Sequence, residues 1–168
     1  MWEKFKAMYR EAEQILEWSE NETLNEELPM SKNHSRISYR LPVLLSKYEE
    51  QFEIMPEFDI ELSSGKAKPD IAILEKGLTF DWWKDENWVK ITPLSVIEIL
   101  SPNQPLDVVV KKIADTFFAG GVKSAWLIVP SLNTVHILAP PRAVTTYTSG
   151  NFTDPATGIT LKVEDIFK

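Results

Sequence analysis

The chain has 168 residues and no cysteine, which excludes a disulfide scaffold, a thiolate nucleophile and every cysteine-held zinc or iron–sulfur site. Its two histidines, His34 and His136, are far apart in sequence and exclude a multi-histidine metal site. Any bound metal is therefore expected to rest on oxygen ligands. No apolar run approaches the roughly 20 residues that span a bilayer. The start, MWEKFKAMYREAEQ, lacks the apolar stretch and small-residue cleavage site of a signal peptide. A soluble, cytoplasmic chain without a membrane partner is expected.

What is present fits one ordinary domain over residues 1–168, since 43% of residues are hydrophobic and 11% aromatic. The net charge of −7 is unevenly spread. Seven glutamates and no basic residue lie between Glu11 and Glu27, and without them the acidic residues equal the 18 basic ones. The charge therefore does not argue against a polyanionic partner.

Trp2, Phe5, Met8, Tyr9, Ala12, Ile15 and Leu16 recur at helical spacing and predict an amphipathic helix over residues 2–18, within an N-terminal segment 1–20 that precedes a core over 24–168. Ser31 suits the N-cap of a second helix running to Tyr48, with Ile37, Leu41, Leu44, Leu45 and Tyr48 inward and Pro42 as a kink. Residues 52–62 favour strand, with Pro56 demanding an edge or a bulge. A strand over 68–74 follows the Ser63-Ser64-Gly65 turn, and a long Trp-, Lys- and Asp-rich loop runs from Glu75 to Lys90. Residues 94–100, LSVIEIL, are apolar on both faces apart from Glu98, as in a central strand buried from both sides. A helix over 106–119 ends at Gly120-Gly121, a hairpin joins SAWLIV to TVHIL, and the tail reads as edge strands with a last helical turn. The order predicts a mixed α/β fold with one central mixed sheet flanked by helices.

Glu98 carries the most information. An unpaired carboxylate in such a strand would cost several kcal/mol or protonate, so it is paired with a lysine or arginine, satisfied by backbone N–H groups at a helix start, or holds a metal. Asp70 is a second lone acid in an apolar strand. Were the two strands adjacent and in register, the carboxylates would converge and repel unless a cation lay between them. Magnesium with several waters retained fits such oxygen ligands.

KPDIAIL, VIEILSPNQ and KKIADTFFAGGVKSAWLIVP resemble, in that order, the core of the PD-(D/E)XK nuclease superfamily, and in particular the Uma-two-type family of restriction endonucleases. SKNHSRISYRL and GITLKVEDIF are similar to that family too, so the resemblance spans residues 24–168 and leaves the N-terminal helix outside. It implies a restriction-endonuclease-like core and a Mg2+- or Mn2+-dependent endonuclease hydrolysing phosphodiester bonds in nucleic acid, with DNA as the substrate. Asp70 and Glu98 fall on the superfamily's metal carboxylates, and the backbone carbonyl of Ile99 would be a further ligand. The superfamily's lysine falls on Leu100, a departure. In the similar subfamily the lysine has moved to the following helix, where Lys112 is the matching position and Lys111 its neighbour. Both also read as a solvated helix face. Glu26 or Glu27 could serve a second ion or belong to a solvated acidic run.

Lys32, Arg36, Arg40 and Lys47 fall within about 80° on a helical wheel. That stripe could track phosphates or pair with the acidic N-terminal helix. Lys66 and Lys68 flank the Asp70 strand and are the better placed substrate contacts. His34 reads as a substrate contact or a polar helix-start residue. Trp82, Trp83 and Trp88 could stack bases, or pack their loop on the sheet or a second subunit, while Trp126 reads as core. The tryptophan surplus and the amphipathic N-terminal helix suggest a homodimer. Two other readings remain: a non-catalytic nuclease-fold protein that binds or dimerises, which the residue at Leu100 favours, and a purely structural buried acid pair.

Overall fold

The computed structural model describes residues 30–168. The expected N-terminal helix, with Glu26 and Glu27, lies outside the described residues. Helix α1 (Lys32–Leu45) starts where Ser31 caps it, its hydroxyl accepting the His34 N–H at 3.1 Å. Pro42 lies inside the helix, which tightens into a 3₁₀ turn over Ser46–Tyr48. The inner stripe is Ile37, Leu41 and Leu45, as the spacing predicts, with His34 buried on the same face.

The expected strand over 52–62 is two strands, β1 (Phe52–Pro56) and β2 (Ile60–Leu62), because Glu57 adopts a left-handed backbone with φ of 51° between them. β2 pairs with β3 (Gly65–Ala67) across the Ser63-Ser64 turn, a short hairpin not foreseen from the sequence. Then follow β4 (Ile71–Glu75), β5 (Ser95–Ile99), helix α2 (Leu106–Lys112), β6 (Ser124–Val129), β7 (Thr134–Ala139), β8 (Ala143–Tyr147), β9 (Asn151–Thr153), β10 (Thr160–Lys162) and the short α3 (Val163–Ile166). The expected helix over 106–119 changes type midway: after Lys112 it widens into a π-helix over Ile113–Phe118.

One mixed six-stranded sheet in the order β1-β4-β5-β6-β7-β8 forms the centre, with β5 and β6 parallel and its other pairs antiparallel. β1 is an edge strand, which is how Pro56 is tolerated. β5 is buried throughout, as expected of a strand covered on both faces. On one face Ile71, Ile73, Ile97, Ile99, Trp126 and Ile128 pack against α1, the β9–β10 hairpin and α3, with Trp126 edge-on to Phe152 at 5.1 Å between ring centroids. On the other, Val96, Ala125 and Leu127 pack with Val109, Ile113 and Phe117 of α2 and its π extension, and with β2 and β3. Gly120 ends that helix against the hairpin. A Cβ there would lie 2.8 Å from the Leu62 Cβ and 2.6 Å from the Ser64 hydroxyl, so no larger residue fits without displacement.

At the end of the sheet where β5 and β6 begin, Asp154 is fully buried. One carboxylate oxygen accepts the Ser124 hydroxyl, itself 2.9 Å from that of Ser95, and the other accepts the Thr157 hydroxyl at 2.6 Å. These bonds tie the turn between β9 and β10 to the starts of two central strands. Asp154→Ala is expected to cost about 2 kcal/mol, because it orphans buried hydroxyls in place of one hydrogen-bonded carboxylate. Urea unfolding measures it, and a loss below about 0.5 kcal/mol would show that the hydroxyls find other partners.

Candidate active site

The other end of the sheet gathers the acids. The last pair of the β4–β5 ladder is Ile71 with Ile97, and Asp70 and Glu98 each lie one residue beyond it. There the strands part. Leu100 N–H continues the bonding to β6, donating to the Ile128 carbonyl at 2.9 Å, whereas Ile99 N–H donates to the Asp70 carboxylate at 2.6 Å. The Asp70 side chain thus takes a β5 amide just beyond the last β4–β5 pair. On the other side of β4, beyond the Pro56–Ile71 pair, Glu57 N–H donates to the Asp70 carbonyl at 3.0 Å.

Glu98 alternates with the inward residues Ile97 and Ile99 and so faces α2, as does Val96. Lys112, at the C-terminal end of α2, reaches it: its Nζ lies 2.9 and 3.1 Å from the two Glu98 oxygens and 3.0 Å from the Lys68 carbonyl. The same amine sits 5.3 Å above the Phe117 ring. Glu98 is 4% exposed, and burial pushes its carboxyl up to about 7, with the Lys112 charge opposing that rise and the charges of Asp70 and Glu57 adding to it. Lys111 is exposed.

Two further groups lie near these acids: His34, which the sequence leaves between a substrate contact and a polar helix-start residue, and Glu57, which it does not single out. His34 is neither exposed nor free in its helix turn: it is 6% exposed, with Nε2 3.4 Å from an Asp70 oxygen and Nδ1 3.2 Å from the Ser38 hydroxyl. Asp70 holds its imidazole above the ordinary value, against the opposing effect of burial. Glu57 pairs with Lys68 at 3.3 Å, and its charge reaches both His34 and Glu98. The signal for Glu57 exists only in the pairing of β1 with β4, which sets residue 57 beside residue 70.

The basic stripe of α1 does not act as a unit. Arg40 Nε donates to the Asp165 carbonyl at 2.6 Å and Lys47 Nζ to that of Thr160 at 3.4 Å, so both fasten α1 to the C-terminal segment. Lys32 and Arg36 are exposed. Lys66 lies 4.8 Å over the Trp88 ring. Trp82 and Trp83 are 90% and 96% exposed, so they do not pack their loop on the sheet. Trp126 is core, as expected.

The sequence matches the family described as "Uma2: Putative restriction endonuclease" over residues 2–164. The chain belongs to the Uma2 family. The match begins at residue 2, so the family likeness takes in the N-terminal segment that the motifs alone left outside. Among solved structures, this Uma2 chain is similar to one from Anabaena variabilis ATCC 29413, described as a putative nuclease belonging to DUF820, with 26% identity, 83% of each chain covered and a TM-score of 0.68. No curated protein matches it. The mixed α/β fold with a six-stranded sheet is therefore nuclease-like, as expected of a Uma2 protein. Among the described residues no helix is long and apolar enough to cross a membrane.

Among the described residues no three His, Cys, Asp and Glu side chains group as a metal cage. Two carboxylates beside a strand-end carbonyl nevertheless suit a hard cation that keeps most of its water, as magnesium does. Asp70 and Glu98 set two carboxylates against the one Lys112 amine, so the pair together carries negative charge that such an ion would take up.

Proposed function

We propose that the chain is a metal-dependent nuclease that hydrolyses phosphodiester bonds in DNA. The observation that carries this reading is the delivery of the Lys112 amine, from a helix, onto Glu98, which with Asp70 lies just beyond the last β4–β5 pair. It supplies the cation that Leu100 cannot. Asp70, Glu98 and the Ile99 carbonyl would hold Mg2+ or Mn2+. Such an ion, when bound, polarises the scissile phosphate and lowers the pKa of a coordinated water. Lys112 then has one task, to place its positive charge where a phosphoryl oxygen gains negative charge. Lys66 and Lys68, beside Asp70, and Arg36, exposed on α1, would contact the phosphates of the strand, leaving Arg40 to its bond with Asp165.

Incubating the purified protein with supercoiled plasmid and with single-stranded DNA tests this. Cleavage is expected with Mg2+ or Mn2+, is lost with chelator, and is lost in Asp70→Ala. A second reading, a nuclease-fold protein that binds without cutting, is favoured by one observation: Lys112 closes on both Glu98 oxygens as a settled ion pair would. DNA binding without cleavage under either ion would establish that reading and sink the first.

A further inference from the structure

We propose that His34 is a positioning residue that fixes the Asp70 carboxylate for a divalent cation. This rests on the nuclease reading, because it gives His34 work only if Asp70 is a ligand.

The argument begins with how little freedom the ring has. His34 lies in the first turn of α1, its N–H held by the Ser31 cap, and the helix is fixed by Ile37, Leu41 and Leu45 in the core. The ring is buried, and Ser38, one turn on, meets Nδ1 at 3.2 Å. If the Ser38 hydroxyl is the donor to Nδ1, the ring proton is on Nε2, which faces Asp70 at 3.4 Å.

Asp70 needs such a constraint. Its Oδ2 accepts the Ile99 N–H at 2.6 Å, but one bond leaves the carboxylate plane free to turn about that contact. The second contact, from Nε2 to Oδ1, comes from α1 and fixes the plane. At 3.4 Å it is longer than a settled hydrogen bond, and a cation that held Asp70 would be the partner that fixes how far the two groups close. Each Asp70 oxygen keeps a further lone pair, so both contacts are compatible with a ligand role. A residue that orients a ligand carboxylate typically changes metal affinity by about 10–100-fold when lost.

The test is Mn2+ binding by titration calorimetry on the full chain, with thermal unfolding recorded for every variant. His34→Phe keeps the ring volume and removes the donor, and is expected to bind Mn2+ about 10–100-fold more weakly. His34→Gln, whose amide reaches the Nε2 position, is expected to recover affinity to within about threefold of the parent, a rescue that a packing role would not give. Ser38→Ala, which leaves the ring in place but frees its tautomer, is expected to lose about three- to tenfold. If His34→Phe and Ser38→Ala bind Mn2+ as the parent does while Asp70→Ala does not, His34 is only a core residue and the proposal fails with the nuclease reading intact. If the parent itself takes up no Mn2+, the nuclease reading falls, and this inference with it.

Discussion

Glu98→Gln is expected to make the protein more stable at pH 8, by up to roughly 3 kcal/mol, while abolishing cleavage. The stability gain follows from burial. A carboxyl raised from 4.5 to about 7 in the folded state corresponds to roughly 3 kcal/mol of linkage. Because the folded value is the higher one, the folded chain binds the proton more tightly than the unfolded chain. The parent therefore has this stability in full below about pH 4.5 and loses it as pH rises through about 7. Glutamine never ionises and so never loses it. Lys112, left without the carboxylate, keeps the Lys68 carbonyl and is about a third exposed, so water accommodates its charge. The two proteins should be equally stable near pH 4 and differ most at pH 8, which paired urea titrations would measure. Loss of a ligand carboxylate removes several kcal/mol of charge stabilisation, so cleavage is expected to fall by at least about 10³-fold. A variant that gains stability and still cuts would place the metal elsewhere.

Lys112→Met should behave in the opposite way toward stability. Glu98 then loses a cation at 2.9 and 3.1 Å and remains buried. Breaking a buried pair by removing one partner costs about 3–5 kcal/mol, and here the cost should appear only where Glu98 is charged, at pH 8 and not at pH 4. Cleavage should drop by about 10²–10³-fold, the usual loss when one donor to a developing oxyanion is removed. The double variant Glu98→Gln/Lys112→Met separates the two effects, since it removes both charges. It should regain the stability and none of the cleavage. Were Lys112→Met to cut as well as the parent, the helical lysine would be structural and Glu98 would need a different partner in the reaction.

The parts of the site that could be read from sequence are those with a local signature. Two apolar segments each with a lone acid, a capping serine and a glycine stop are patterns within a dozen residues. They mark β5, α1, the end of the helix that bears Lys112, and β4, although β4 starts at Ile71 and leaves Asp70 just before the strand instead of within the one expected over 68–74. The parts missed depend on register or on distant contacts. Glu57 reaches the site because β1 runs beside β4, and its left-handed backbone, which splits the expected strand over 52–62, has no glycine or asparagine to announce it. His34 reads from sequence as a substrate contact or a polar helix-start residue, and only the fold shows its contact with Asp70 from another element. The helical wheel groups Arg40 and Lys47 with Arg36, but a wheel does not show that the C-terminal segment takes up Arg40 and, in the 3₁₀ turn beyond the helix, Lys47. Asp70 and Glu98 stand out as lone acids in apolar segments, and the family resemblance adds Lys112. Glu57, and the contact of His34 with Asp70, became visible only when the chain was folded.

The change of helix type after Lys112 has a consequence for how the chain tolerates length changes. Val109, Ile113 and Phe117 are buried at intervals of four, a spacing that overshoots a 3.6-residue turn by about 40° each time. A π-turn winds less per residue, so the second interval falls short where the first runs past, and Phe117 returns beneath Val109. The extra residue works as a phase correction between the amine on Glu98 and the anchor in the core. Deleting one residue within 113–118 would restore ordinary winding, and five α residues turn through about as much as six in the wider helix, so Gly120 would still face Leu62 and Ser64.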